Sequence, residues 1–178
     1  MSGWLPWLGR LFRRAAGGPT PHRYNAEELG AFERAMRIEL PAAYKAYLID
    51  VGAGFMCGSR VALLAEWCEP YDSERLPGDF LAQPFPYAEA WNDVTVHDAS
   101  KGWGSPYFDP WLCRGAMRAQ SLGCDEYLLL VVSGPERGNM WHDARAVSHI
   151  AGSGGGQRGI FPKQSFGARR VTIEEYLR

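Results

Sequence analysis

Gly123-Cys124-Asp125-Glu126-Tyr127-Leu128-Leu129-Leu130-Val131-Val132-Ser133-Gly134 is the stretch on which the fold turns. Leu128 to Val132 are apolar without interruption, so a strand made of them has no polar side and needs cover on both faces. The run is short and bracketed by turn-forming residues, which favours a strand over a helix. It is read as the central strand of a sheet. Gly115–Gln120 precedes it across the Gly123-Cys124-Asp125 turn, and Asn139–Asp143 follows it across Gly134-Pro135-Glu136-Arg137-Gly138. Connections this brief predict an antiparallel meander. Val147–Ile150 is read as one further strand.

Helices are expected on either side of this block. Asn25 can cap one, with Glu28 three residues later completing a capping box and Leu29, Phe32 and Met36 on one face to about Arg37. Pro41 suits the first position of a second helix, with Tyr44, Tyr47, Leu48 and Val51 as its apolar stripe and Gly52 as its stop. Near the other end, Thr172 and Glu175 form a second capping-box pair for a closing helix. The reading between is less regular. Val61 to Trp67 fits a strand or a short helix equally; residues 68–86 read as loop, Tyr87 to Trp91 as a helical turn, residues 98–113 as irregular, and Gly152–Gly159 as a flexible glycine-rich loop. The fold class that follows is α+β: a twisted, mainly antiparallel sheet with leading helices and a closing helix packed against it.

With 178 residues, 46% hydrophobic and 22% charged, the chain suits one domain with its own core plus a short appendage. Residues 1–23 are the appendage: Trp4, Trp7, Leu8, Leu11 and Phe12 fall at helical spacing beside Arg10, Arg13 and Arg14, and Gly17-Gly18-Pro19 ends the pattern. They read as an amphipathic basic segment and linker, a membrane or partner anchor or a helix folded back onto the body, with residues 24–178 as the single domain. Its charge follows the apolar residues and the apolar run is short, so neither a usual signal peptide nor stable membrane insertion is expected, and the cytoplasm is the expected location. Cys57, Cys68, Cys113 and Cys124 make no CxxC and are read as reduced thiols.

Charge narrows the partner. The net charge of −1 lacks the cationic excess that phosphate backbones select, so nucleic acid is not expected. The first 23 residues hold four arginines and no acid, which leaves 15 basic against 20 acidic residues, −5, in the body. An acidic body suits a basic partner. Glu66, Glu69, Asp72, Glu74 and Asp79 share one stretch with Arg75 alone opposing them, either a solvated face or an interface.

Chemistry-bearing motifs are weak. Gly154-Gly155-Gly156-Gln157-Arg158-Gly159 matches GxGxxG as a string, but the dinucleotide site requires a strand turning into a helix, and Pro162 follows at once. Cys124, His142 and Asp143 contain the residue types of a nucleophile, base and orienting acid without any visible oxyanion hole. His97, His142 and His149 are too dispersed for a metal site. No enzyme activity, cofactor or metal is expected.

Three segments in order resemble the SMI1/KNR4 family of the SUKH superfamily. Leu40-Pro41-Ala42-Ala43-Tyr44-Lys45-Ala46-Tyr47-Leu48 with Val51-Gly52-Ala53-Gly54 is similar to its "LP..Y+.fL...G.G" opening; Gly123–Gly134 and Gly138-Asn139-Met140-Trp141-His142-Asp143 resemble "GC...L.v.G...G.vW.D". The resemblance spans roughly residues 25–178 and transfers no catalytic residues. It implies a protein that neutralises a cognate polymorphic toxin by direct stoichiometric contact, an interbacterial immunity function; the alternative it also implies is a regulatory interaction module unconnected with a toxin. The residues expected to touch the partner are Trp67, Glu69, Tyr71, Asp72, Glu74, Asp79 and Trp103, acids for charge and aromatics for anchoring.

Overall fold

The structure, a computed structural model, describes residues 22–56, 59–61, 79–123, 126–146, 158–164 and 169–178. Its frame is α+β. Six strands lie side by side in chain order: β1 (Gly54–Met56), β2 (Ser59–Val61), β3 (Ala116–Gly123), β4 (Glu126–Val131), β5 (Met140–Asp143) and β6 (Ile160–Pro162). Every neighbouring pair is antiparallel, and the short connections from β1 to β2, β3 to β4 and β4 to β5 admit no other pairing. β4 is interior and Leu128 to Val132 are all buried, in agreement with the unbroken apolar run.

The leading helix α1 (Ala26–Met36) is closed at its start by reciprocal bonds: Glu28 N–H donates to Asn25 Oδ1 at 2.9 Å and Asn25 N–H to Glu28 Oε2 at 2.8 Å. Leu29, Phe32 and Met36 are its buried residues, and Arg37 ends it in the left-handed region at φ 56°. Helix α2 (Ala42–Asp50) buries Tyr44 and Leu48 one turn apart. Two details differ from the expected stripe. Pro41 sits at the cap rather than inside the first turn, and Val51, past the last turn, is exposed beside Gly52 at φ 102°. The short closing helix α3 (Ile173–Tyr176) has the expected Thr172–Glu175 capping box.

Register assigns the faces. Met117 stands opposite Leu130 and Leu130 opposite Met140, so these three share one face, together with the Gln120–Leu128–His142 row. Tyr176 of α3 donates to Gln120 Oε1 on this side, and α2 lies against α3, so helices cover it. Arg118, Leu129 and Trp141 share the opposite face. There Phe85 meets Trp141 edge-on with ring centroids 4.8 Å apart, and Tyr87 follows at 6.4 Å. The cover on this second face is not a helix but the chain from 79 to 113.

That covering segment departs most from expectation. Tyr87 to Trp91 do not form a helical turn: Trp91 is extended and bridges Ile160, exchanging backbone bonds of 2.7 and 2.8 Å with it. The ladder partner outcompetes the local turn because β6 otherwise has an open edge. Residues 94–113 are a series of 3-10 turns, Val94–Val96, Ala99–Gly104, Pro106–Phe108 and Pro110–Cys113, rather than unpatterned loop. β1 and β6 are three residues each and were not anticipated. Val147–Ile150, residues 62–67 and residues 152–157 lie outside the described residues. At the first edge, His22 bridges Ala53, so pairing with the sheet begins at residue 22.

Candidate functional site

Residues 92–111 are built by one local rule repeated. Asp93 accepts from Thr95 N–H at 3.0 Å, Asp98 from Ser100 N–H at 3.1 Å, and Asp109 from Trp111 N–H at 2.8 Å, each two residues ahead. A short side-chain acceptor bonding the backbone two residues on stabilises a turn without a helix. Ser105 joins the set by accepting from Asp98 N–H at 2.8 Å, which ties two of the turns together. The acids therefore serve as caps while remaining at the surface.

Aromatic rings bind these turns to the body. Trp91 is stacked between Tyr87 and Tyr107, at 5.6 Å from each, and the Tyr107 hydroxyl lies 2.6 Å from Asn92 Oδ1, to which it donates. Phe108 meets Tyr107 at 5.1 Å, His97 at 5.7 Å and Trp103 at 4.8 Å. The outermost ring of this chain of contacts, Trp103, is 61% exposed, and Val94 is 60% exposed. Large apolar side chains held outward on a braced segment are what a contact surface offers. Asp98 is held below the usual carboxylate range by its bonds to Ser100 and Lys101, so it stays anionic across the physiological range.

Beneath the turns lies a buried ion pair. Arg145 Nε and Nη2 donate to the two oxygens of Asp143 at 2.8 Å each, and both side chains are 5% exposed. Arg145 Nη1 continues to Tyr107 O at 3.0 Å and Asp109 O at 3.1 Å, and Nη2 to Cys113 Sγ at 3.3 Å. Burial opposes ionisation of Asp143, but the fork-to-fork pairing with Arg145 outweighs it and holds the carboxyl below its ordinary range. One guanidinium thus pins two carbonyls of the turn series to the end of β5.

Of the seven residues expected at a contact surface, Trp103 is exposed. Asp79 is not a free surface acid: it is partly buried, its carboxylate accepts from Gln83 Nε2 at 2.5 Å, and it initiates the turn that carries Phe80 against Trp111. Trp67, Glu69, Tyr71, Asp72 and Glu74 lie outside the described residues. Val94, Val96, Asp93, Asp98 and Asp109 were missed. The signal was present as Asp93-Val94-Thr95, Asp98-Ala99-Ser100 and Asp109-Pro110-Trp111, an acid repeatedly placed to cap two residues ahead.

The other motifs do not assemble into chemistry. Adjacent strand residues point to opposite faces, so Asp143 turns to Arg145 while His142 turns to Glu126, Nε2 to Oε2 3.4 Å, and to the Phe161 ring. Asp143 therefore cannot orient His142 as a base; Cys124 lies outside the described residues. Burial lowers the His142 pKa against the opposing pull of Glu126. Gly159, the last residue of the GxGxxG string, has φ 95° and leads into strand β6, not into a helix. A Cβ there would stand 2.1 Å from Trp91 O, so the glycine serves close backbone approach. Among the described residues no three His, Cys, Asp or Glu side chains converge on a metal position, and no helix is long and apolar enough to cross a membrane. No family model matches the chain, and no curated protein or solved structure matches it significantly.

Proposed function

We propose that this chain is an immunity-type binding protein that neutralises a cognate protein toxin by occupying it, with residues 93–109 at the centre of the contact. The observation that carries the reading is the outward placement of Trp103 and Val94 on capped, acid-bearing turns anchored to the sheet by Arg145. An aromatic anchor on a preorganised segment loses little conformational entropy on binding. Asp93, Asp98 and Asp109 surround it with fixed negative charge, which speeds encounter with a basic surface and orients it. Toxins that act on polyanions present such surfaces. The SMI1/KNR4-like segments at 40–54, 123–134 and 138–143 support the same reading, since the residues they contain shape the scaffold: Leu40, Tyr44 and Leu48 are core, Gly134 has φ 94°, and Trp141 is fully buried.

Co-expression with the toxin encoded beside it tests this directly. The chain rescues growth, and the two proteins co-purify at a fixed ratio. Rescue by Trp103→Ala at wild-type level, or a toxin that does not bind the purified chain, refutes the assignment.

A further inference from the structure

Residues 92–114 are wired to themselves. The backbone N–H groups of His97, Lys101, Ser105, Phe108, Leu112 and Arg114 each donate to the carbonyl three residues back, at 2.9–3.2 Å. Ser105 Oγ accepts from Asp98 N–H at 2.8 Å and the Tyr107 hydroxyl donates to Asn92 Oδ1 at 2.6 Å, so the turns are also tied to one another. Bonds of this kind fix the shape of the segment and survive when it moves as a body; its position on the sheet is set elsewhere. At its two ends Trp91 exchanges backbone bonds with Ile160, and Gly115 donates to Phe80 O and accepts from Val132 N–H. Between them Arg145, just past the end of β5, reaches the carbonyls of Tyr107 and Asp109 while its remaining donors hold Asp143. Cys113 lies in the same seam at 0% exposure: its Sγ accepts from Arg145 Nη2 at 3.3 Å and donates to Asp143 Oδ2 at 3.6 Å.

We infer that residues 92–114 are a strap that opens as one unit while the sheet stays folded, with Arg145 as its latch and the Cys113 thiol as the group that opening uncovers. Segments rich in local, solvent-facing backbone bonds belong to the low-stability end of a structure. Residues 92–96, 99–101, 103 and 104 are exposed, whereas Ser105, Tyr107 and Cys113 are buried against the body. Opening therefore breaks few ties, and among them the bonds from a guanidinium to two carbonyls are charge-assisted and the strongest individually. Lysine cannot replace them: a single ammonium keeps the charge opposite Asp143 but lacks the fork that holds a carboxylate and two carbonyls together. Arg145, whose side chain is 5% exposed, is thus a positioning residue that sets where Val94 and Asp98 stand without standing at the surface itself. The strap carries the surface proposed for toxin contact, but the device belongs to the free chain and does not rest on that assignment.

The test labels the full chain with iodoacetamide across sub-denaturing urea, reads Cys113 alone by peptide mapping, and follows hydrogen exchange of the β4 amides in the same solutions. Partial opening exposes less surface than global unfolding, so Cys113 is alkylated faster than the β4 amides open, and its rate rises less steeply with urea. Cys113 labelling that matches β4 exchange in both opening constant and urea slope overturns the inference. Arg145→Lys accelerates Cys113 labelling roughly tenfold or more, through loss of the charge-assisted bonds to the strap, and leaves β4 protected. An unchanged rate overturns the inference, as does a lysine variant whose β4 amides lose protection to the same extent as Cys113. Asn92→Ala, at an exposed position in the far end of the strap, removes the acceptor of the Tyr107 hydroxyl. Because the strap opens as one unit, this change also speeds Cys113 labelling severalfold. No effect at Cys113 shows that the two ends move separately and overturns the unit.

Discussion

Replacing Asp143 by Asn removes one charge from a buried pair and little else. In the native protein Arg145 directs Nε and Nη2 at the Asp143 carboxylate, 2.8 Å for each bond, with 5% exposure on both side chains. Asn keeps the shape and one acceptor oxygen but removes the carboxylate charge that the guanidinium faces in a water-poor site. Breaking a buried pair on one side costs about 3–5 kcal/mol, because the lost charge–charge attraction is not replaced by water. Domains of this kind have roughly 5–15 kcal/mol in total, so the variant stands near the limit of folding. Urea denaturation at pH 7 measures the loss as a lower midpoint at unchanged slope. The pH profile supplies a second check. The folded-state pKa of Asp143 is depressed relative to an unfolded value of about 3.9, so its contribution is fully present above that value and is lost as pH falls through the folded-state pKa. Asp143→Asn lacks this acid-limb loss. A midpoint shift equivalent to less than about 1 kcal/mol, with the wild-type acid limb retained, would refute the view that this pair anchors the turn series.

Other outcomes follow from single contacts. Trp103→Ala leaves stability within about 0.5 kcal/mol, because the ring is 61% exposed, yet weakens partner affinity by about 2 kcal/mol, roughly 30-fold, in a calorimetric titration. Tyr44→Phe is neutral or stabilising by up to about 2 kcal/mol in thermal unfolding, since the buried hydroxyl has no hydrogen-bond partner among the described residues. Gly115→Ala destabilises by more than about 2 kcal/mol: φ is +72° and the new Cβ would lie 2.3 Å from Gln83 O. His142 is shifted below its ordinary value by burial, so stability is fully present above the unfolded histidine pKa and declines as pH falls below it; His142→Phe flattens that limb in pH-dependent melting curves.

Local rules account for the elements that could be read without a structure. Asn25 with Glu28 and Thr172 with Glu175 satisfy helix N-termini through partners three residues away, a geometry the sequence states outright. Leu128 to Val132 announce a doubly covered strand because no polar residue interrupts them. β1 and β6 escaped because three residues carry too little periodicity, and what makes them strands is a neighbour's unpaired edge. Trp91 was misread as part of a helical turn for the same reason: its partner, Ile160, is distant in the chain.

The candidate surface divides along the same line. Each Asp-capped turn is a short-range bond, so its signature resides in the sequence, as does the acidity that makes a basic partner suitable. Which acids stand exposed around an apolar patch, and which are partly buried against a neighbouring side chain as Asp79 is against Gln83, depends on packing that spacing does not encode. The Asp143–Arg145 pair is two residues apart and visible as letters, yet its function comes from carbonyls at Tyr107 and Asp109 brought to it by the sheet. Burial and long-range pairing are collective properties of the folded chain; they decide that Trp103 faces solvent and Trp141 faces Phe85, although both are tryptophans near a glycine.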